Sequence, residues 1–273
     1  MSQLSMFDAP DMAITPSVPV SDLTAARALP AVVSVPARKV RGQTRQAFID
    51  EFCQTATYLR RSEVFRDFVT LAASELDLVR IHTPESRARC SQIIARYKAS
   101  DIDRMHTLFS LMVAALSEAH QDFLGSVYME LELGADEMGQ YFTPHSVSSL
   151  LAQLAAGDLL AQLKSCPFIS LQEPTSGAGG MVIAFAEIML QAGLNPATQL
   201  LVTTIDIDPL AADMTFVQLS LLGIPATVNT GNTLTLQMNL TRHTPVWFFN
   251  DWQERIRSHE RIQAMRAFMS RLC

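Results

Sequence analysis

The chain has 273 residues, a formal net charge of −6 at pH 7 and 48% hydrophobic residues, which suits a globular chain of one large or two modest domains. This acidic balance gives no sign of nucleic-acid binding, although a local basic face can still bind phosphates. The four cysteines are dispersed without a Cys-x-x-Cys pair, so we expect no metal site or disulfide framework and a reducing, cytoplasmic setting. No apolar run approaches the roughly 20 residues that span a bilayer, and we see no secretory signal.

The first part of the chain divides into a tail and a helical region. Residues 1–40 are rich in Pro, Ala, Ser and Val without a sustained hydrophobic period, which is typical of a mobile tail, with a partner-binding segment as the alternative. Residues 41–138 carry apolar positions at helical spacing and predict a domain of about five helices. Thr83-Pro84 is a helix start, Ser100 and Asp103 form a capping-box-like start, and Asp122 begins a further helix.

Residues 139–273 change to an alternation of strands and helices, which indicates βαβ units and a parallel sheet. Predicted strands cover 168–171, 200–205 and 226–228. Predicted helices start at Thr143-Pro144, cover 182–191, run from Asp208-Pro209 to a stop at Gly223, and cover 253–272. The last of these helices carries five arginines, which suit either a solvated face or contacts to phosphates.

One stretch, residues 168–180 (FISLQEPTSGAGG), organises this second region. A short apolar strand leads through a polar turn into Gly177, Gly179 and Gly180 and then into a helix. A strand, a glycine-rich turn and a helix present backbone N–H groups and a positive helix end to a ligand. Glycines let a ligand approach the backbone, but ordinary strand-to-helix turns also use them, so the turn alone leaves both interpretations open.

Four segments in this order resemble the modification (methyltransferase) subunit of type I restriction systems, within the adenine-N6 DNA methyltransferases. Residues 122–144 resemble the family's helix followed by its Gly-Gln-aromatic-Phe-Thr-Pro motif. Residues 173–181 (EPTSGAGGM) resemble Asp-Pro-Ala-Cys-Gly-Ser-Gly-Gly-Phe, and residues 203–224 resemble the acidic strand end and its helix. Residues 231–234 (GNTL) resemble Gly-Asp-Thr-Leu. The resemblance implies a Rossmann-like, S-adenosylmethionine-dependent methyltransferase fold of the α/β class, with a truncated parallel sheet preceded by a helical domain.

S-adenosylmethionine is the cofactor that this resemblance implies. Gly177, Gly179 and Gly180 would lie under its methionine part, where a side chain would clash. Glu173 would accept a hydrogen bond from the ammonium group, or else only cap its turn. Asp206, at a strand end, would accept both ribose hydroxyls, or be an ordinary strand-end acid.

The same resemblance implies roles in cofactor binding for three further residues. Asn232 would bond the adenine edge of the cofactor, with a simple turn Asn as the alternative. Phe142 and Thr143 would close over the cofactor, although Thr143-Pro144 also fits a plain helix start. Asp208 fits a helix N-cap better than a ligand contact.

The methyl-transfer motif of the family, Asn or Asp followed by Pro-Pro and an aromatic residue, is degenerate here. In the family, the amide or acid and a prolyl carbonyl accept the hydrogens of the adenine amine, and the aromatic ring stacks on the flipped base. The nearest match in this chain is Thr244-Pro245-Val246-Trp247, in which Thr244, Pro245 and Trp247 are the candidate catalytic residues. If the loss of one aimed acceptor costs ~10²–10³ in rate, as for oxyanion donors, this site is slow or dead.

Two functions follow as expectations. The first is an S-adenosylmethionine-binding protein that acts in DNA methylation or restriction-modification, weak or inactive alone, and reaches DNA directly or through a specificity subunit. The second is a catalytically silent relative that serves as an interaction or regulatory, anti-restriction-like module. Because the sequence after Trp247 supplies one helix and no further strands, we expect an open sheet edge that the tail helix, Phe248-Phe249 or a second protein subunit covers.

Overall fold

The computed structural model describes residues 42–134 and 142–271, and the first of these two ranges contains five helices. They are α1 (Gln43–Gln54), α2 (Arg61–Leu76), α3 (Pro84–Ile94), α4 (Ala99–Glu118) and α5 (Phe123–Glu130). The tail expected over residues 1–40 lies outside the described residues. The boundary expected between residues 138 and 139 lies outside them too, so the domain limits stay predictions.

The starts of these helices test the capping signals in the sequence. The Thr83 hydroxyl accepts a 3.3 Å hydrogen bond from the Ser86 N–H at the start of α3, which confirms that prediction. The capping box predicted from Ser100 and Asp103 is wrong. Helix α4 begins at Ala99 behind Lys98, which makes no side-chain cap, so Ser100 already lies inside the first turn.

Strands and helices alternate in the second half, which confirms the α/β class. The helices are α6 (His145–Ala156), α7 (Leu159–Ser165), α8 (Gly180–Gln191), α9 (Pro196–Gln199), α10 (Pro209–Leu221), α11 (Pro245–Phe249) and α12 (Trp252–Met269). The strands are β1 (Ile169–Glu173), β2 (Leu200–Asp206), β3 (Ala226–Asn232) and β4 (Gln237–His243). Helix α6 therefore begins one residue after Pro144, and β3 extends four residues beyond the strand predicted over 226–228.

The four described strands form one sheet in the order β1-β2-β3-β4. The first three are parallel, with Glu173 opposite Thr204 and Asp206 opposite Thr230, so their carboxyl ends lie at the same edge. Helices α8 and α9 connect β1 to β2, and α10 connects β2 to β3, as parallel neighbours require. Strand β4, which the sequence does not predict, runs antiparallel to β3 and returns the chain to the opposite edge.

Helix α10 lies at the centre of the fold. It packs on β2 and β3 on one side and on α2 on another. All ten residues from Leu210 to Leu219 are buried, as expected for a helix enclosed on every side. Three of these ten are polar, Asp213, Thr215 and Gln218, and buried polar groups need specific partners.

The sheet edge formed by β1 is only partly covered. Trp252, at the start of α12, is fully buried and packs edge-on against Phe168, with 5.2 Å between the ring centroids. Further along β1, Ser170 and Gln172 are exposed. The tail helix therefore covers the beginning of the edge strand and leaves its later residues accessible. None of the helices in the described residues combines the length and the apolar character that crossing a bilayer requires.

Candidate functional site

The glycine-rich turn joins β1 to α8 at the carboxyl edge of the sheet. Gly177 and Gly179 have φ values of +53° and +90°, in the left-handed region that glycine tolerates best. The Ser176 N–H donates to the carbonyl of Ile205 at 3.0 Å, which ties the turn to the end of β2. The turn and the neighbouring strand end are thus joined into one unit by a backbone hydrogen bond.

Asp206 closes this unit through its side chain. Its Oδ2 accepts a 2.7 Å hydrogen bond from the Gly177 N–H, and its Oδ1 accepts a 2.9 Å bond from the Asp208 N–H. Burial raises the pKa of this carboxyl above its usual range, and the two N–H groups act in the opposite direction. Asp206 therefore lies next to the turn with both oxygens held, and each oxygen keeps lone pairs for a further donor.

Side chains of helix α10 hold the glycine-rich turn through hydrogen bonds to its backbone carbonyls. The Thr215 hydroxyl donates to the Gly177 carbonyl at 2.8 Å. The Gln218 amide donates to the Ala178 carbonyl at 2.7 Å and to Asp122 Oδ1 at 2.8 Å. The sequence analysis did not identify these contacts, although polar residues three apart in an otherwise apolar helix are a signal for such a role.

Phe142 and Thr143 lie at the glycine turn. A Cβ atom added to Gly177 would lie 3.0 Å from the Phe142 ring, so the ring rests directly on this glycine. Phe142, Thr143, Gly177 and Gly180 line a cavity of 90 Å³ together with Asp122. Asp122, Phe142 and Thr143 also line a second cavity of 400 Å³ that reaches His145.

Glu173 and Asn232 lie at the same sheet edge but use their side chains locally. Glu173 Oε1 accepts a 3.2 Å hydrogen bond from the Thr175 N–H. Asn232 Oδ1 accepts from the Leu234 N–H at 2.8 Å, and the Thr233 hydroxyl donates to the Pro174 carbonyl. Residues 231–234 thus contact the turn after β1 through Thr233. The side chains of Glu173 and Asn232 each stabilise their own turn.

The structure does not bring Thr244, Pro245 and Trp247 to this edge. The Thr244 hydroxyl is fully buried, accepts from the Ala226 N–H at 2.9 Å and donates to the Ile224 carbonyl at 2.8 Å. Ala226 begins β3, four residues before the level of Asp206, which is about 13 Å along a strand. The antiparallel course of β4 is the reason, because it carries the chain back to the amino ends of the parallel strands.

Trp247 is held by a local aromatic contact. Its ring stacks on His243 with 4.1 Å between the ring centroids, so one of its two faces is already occupied. Pro245 occupies the first turn of α11, where proline is favoured. The three residues therefore form a helix start at the amino edge of the sheet.

Comparison with known proteins gives a family match over about half of the chain. Residues 119–254 match the family model of the N-6 DNA methylases. This segment contains the glycine turn, Asp206, Asp122 and all four strands. No curated protein matches the chain in sequence.

Solved structures with a similar course of the chain include two bacterial proteins. One, from Listeria monocytogenes, is described as a class I S-adenosylmethionine-dependent methyltransferase, with a TM-score of 0.43, 11% identity, and coverage of 70% of this chain and 54% of that one. The other is the methyltransferase subunit of a type I restriction-modification system from Streptococcus thermophilus, with a TM-score of 0.41, 13% identity, and coverage of 70% and 58%. A third structure, a complex of DrdV with DNA, has a TM-score of 0.35 and 13% identity, with coverage of 66% of this chain and 20% of that one. The chain thus spans little more than half the length of the first two structures.

Proposed function

Because the chain resembles the N-6 DNA methylase family over residues 119–254, we propose that it binds S-adenosylmethionine at the Gly177–Gly180 turn. We propose that it serves DNA adenine-N6 methylation or restriction-modification and is weak or inactive without a partner. The observation that carries this proposal is the pairing of the turn with Asp206, a carboxylate at the neighbouring strand end. Such a pairing is how α/β proteins hold a nucleoside beside a glycine-rich turn.

The backbone donors and the carboxylate at the turn suit this cofactor. Helix α8 has twelve residues and starts directly after the turn, so its positive end suits the carboxylate of the methionine part. Asp206 lies at the level where the ribose hydroxyls would be. The absence of a side chain at Gly179 lets the turn pack closely on α10, since a Cβ atom there would lie 3.2 Å from the Thr215 hydroxyl. When bound, the cofactor would supply an activated methyl group.

The site supports binding more than catalysis. Within the described residues, Thr244 and Trp247 lie at the amino edge of the sheet and make structural contacts. The proposal is therefore that this chain contributes cofactor binding, while methyl transfer to adenine depends on a partner that presents the base. DNA would be reached through that partner, a specificity subunit, or directly through exposed arginines of α12 such as Arg257 and Arg261.

Two surfaces support a second protein subunit. Ser170 and Gln172 on the edge strand are accessible, and an exposed edge is a template for pairing with another chain. Helix α12 also presents four large apolar side chains that are about half exposed or more: Ile262, Met265, Phe268 and Met269. Exposed apolar groups on one helix suit a protein contact. Co-purification with a specificity subunit, and methylation only in that complex, would support this arrangement.

The alternative function is a silent interaction or regulatory module that binds no cofactor. One observation favours it: the Phe142 ring rests on Gly177, and the cavity there has only 90 Å³, whereas ligand pockets commonly have about 300–1,000 Å³. In this alternative the glycines serve only the packing of Phe142 and Thr215.

Calorimetry with S-adenosylmethionine separates the two functions. The wild-type chain is expected to bind, and Gly179→Val is expected to abolish binding. Gly193→Val is the matched control, because Gly193 also has a positive φ, +74°, but no atom within 4 Å of the added Cβ. Absence of binding by the folded wild-type chain would favour the silent module. Transfer of a labelled methyl group to adenine-containing DNA by the purified chain alone would contradict the dependence on a partner.

A further inference from the structure

Asp122 is a buried carboxylate beside the glycine turn that the proposed function does not yet use. It is 8% exposed and caps α5, where its Oδ1 accepts the Gly125 N–H at 2.9 Å. Its side chain packs against two glycines. A Cβ atom added to Gly180 would lie 3.1 Å from Asp122 Oδ2, and one added to Gly125 would lie 2.2 Å from it. Both glycines therefore make room for this carboxylate.

The hydrogen bonds to the Asp122 carboxylate are concentrated on one of its two oxygens. Within the described residues, the Gly125 N–H and the Gln218 amide both donate to Oδ1. Oδ2 keeps its acceptor capacity, and Asp122 lines both the 90 Å³ cavity and the 400 Å³ cavity. A carboxylate oxygen with spare acceptor capacity at a cavity wall can accept a hydrogen bond from a ligand donor or pair with a ligand cation.

A cationic group is the donor that would best complete Asp122. Burial raises the pKa of this carboxyl, and the hydrogen bonds from Gln218 and Gly125, followed by nearby His145, act in the opposite direction. Arg45, which lines the 400 Å³ cavity, is already paired with Glu130 on the same wall. A ligand ammonium group would supply up to three N–H donors and a full positive charge to Oδ2.

We propose that Asp122 Oδ2 accepts a hydrogen bond from the α-ammonium group of bound S-adenosylmethionine. This inference rests on the proposed function. Gly180 is the first residue of α8, so Asp122 lies at the helix end whose N–H groups suit an amino-acid carboxylate. Both charged groups of the methionine part would then be bound next to each other. The N-terminus of α8 would bind the carboxylate, and Asp122 would bind the ammonium group.

Glu173, to which the sequence assigned this role, is less well placed. Its Oε1 is engaged by the Thr175 N–H in its own turn, and it does not line the cavity that contains Gly177 and Gly180. Asp122 comes to the same cavity from a helix that precedes the glycine turn by about 55 residues. Asp122 would thus be a cofactor-binding residue contributed by the helical part of the chain.

The experiment is a double-mutant cycle between protein and ligand, read by calorimetry on the full chain. Asp122→Asn keeps an acceptor for Gly125 and Gln218 but removes the charge. Asp158→Asn is the matched control, because Asp158 caps α7 through the Ala161 N–H at 2.9 Å and is exposed. The ligands are S-adenosylmethionine and 5′-methylthioadenosine, which lacks the amino-acid part. Asp122→Asn is expected to weaken S-adenosylmethionine about 10- to 100-fold and to leave methylthioadenosine unchanged.

The outcomes separate this inference from the proposed function. Equal affinity of wild-type and Asp122→Asn for S-adenosylmethionine would overturn the Asp122 assignment and leave the proposed function standing. An equal loss for both ligands would also overturn it, because the effect would then be structural. If the wild-type chain binds neither ligand, both proposals fail. Should Asp122→Asn not fold, Asp122→Ser, which keeps an N-cap oxygen, takes its place with the same expectations.

Discussion

Asp206 Oδ2 accepts a 2.7 Å hydrogen bond from the backbone N–H of Gly177, and this contact joins the end of β2 to the glycine turn after β1. The second oxygen accepts from the Asp208 N–H at 2.9 Å. One side chain thus sets the spacing between two parallel strand ends and the start of α10. The carboxylate also stabilises the turn, because it satisfies the Gly177 N–H, which the turn itself leaves without a backbone acceptor.

Replacing Asp206 by Asn is expected to destabilise the fold and weaken cofactor binding. The amide has one oxygen for two N–H donors, so one of them loses its partner. We expect a loss of about 1–2 kcal/mol in the free energy of unfolding, since the site is only partly buried. Chemical denaturation measures this change, and calorimetry with S-adenosylmethionine measures the binding.

Asp208→Asn is the control for that substitution. Asp208 accepts a single N–H, that of Leu210 at 3.0 Å, so the amide oxygen can replace the carboxylate oxygen. We expect a change within about 0.5 kcal/mol, as for most substitutions outside such networks. A similar loss in both variants would mean that charge at this strand end matters more than the number of acceptors.

Thr244→Val is expected to lower stability without affecting cofactor affinity. The substitution keeps the shape of the side chain but leaves the Ala226 N–H and the Ile224 carbonyl without their partner in a fully buried place. We expect a loss of about 1–3 kcal/mol in the free energy of unfolding. Thr235→Val, in the exposed turn after β3, is the control and should be near neutral.

A fall in S-adenosylmethionine affinity in folded Thr244→Val would contradict the placement of this residue at the amino edge of the sheet. It would instead indicate that the Thr244 side chain lies close enough to the cofactor to contribute to its binding. Calorimetry on the variant, at a temperature where denaturation shows it to be folded, decides between the two.

Gln218→Leu is expected to lower both stability and binding. Gln218 is fully buried and links three segments: it donates to Ala178 and Asp122 and accepts from the Leu124 N–H at 2.9 Å. Leucine has similar bulk but makes none of these bonds, so we expect a loss of about 2–4 kcal/mol. Gln191→Leu, at the exposed end of α8, is the control.

Binding should fall in Gln218→Leu even where the variant remains folded. The reason is that the Ala178 carbonyl and Asp122 both lose the donor that fixes them beside the turn. A variant that is destabilised yet binds S-adenosylmethionine with wild-type affinity would show that α10 does not position the turn.

The sequence indicates the parts of this site whose chemistry is local. Gly177, Gly179 and Asp206 could be predicted because a glycine turn and a strand-end acid each follow an apolar strand, and parallel strands bring these ends together. The cap of α3 by Thr83 depends on three consecutive residues and was predicted for the same reason. The family resemblance was visible because several such local motifs occur in order.

Contacts between distant segments could not be predicted in this way. Gln218 meets Asp122 across 96 residues, and no periodicity or propensity encodes that pairing. The direction of β4 was missed because a single sequence does not say whether a strand adds parallel or antiparallel, and this direction decides where Thr244 lies. The start of α4 differs by one or two residues because Ser100 suits a cap chemically, but the chain turns at Lys98.

The pH dependence of stability gives a separate test of the burial of Asp122. Burial raises its pKa in the folded chain above the usual value near 3.9 in the unfolded chain. Below that value the carboxyl is protonated in both states. As the pH rises, the unfolded chain ionises first, so stability is lost until the pH passes the folded pKa.

Asp122→Asn removes this titration, so the difference in unfolding free energy, wild type minus variant, is expected to fall as the pH rises above about 4. The slope is at most about 1.4 kcal/mol per pH unit for one proton. Urea denaturation of both proteins from pH 3.5 to 7.5, without cofactor, measures it. Because the subtraction cancels other titrating groups that the two chains share, a constant difference would show that Asp122 ionises as freely in the folded chain as in the unfolded one. A difference that rises with pH would mean that the carboxylate is stabilised by a cation, which would leave Oδ2 already satisfied and remove the reason for assigning it to the ammonium group.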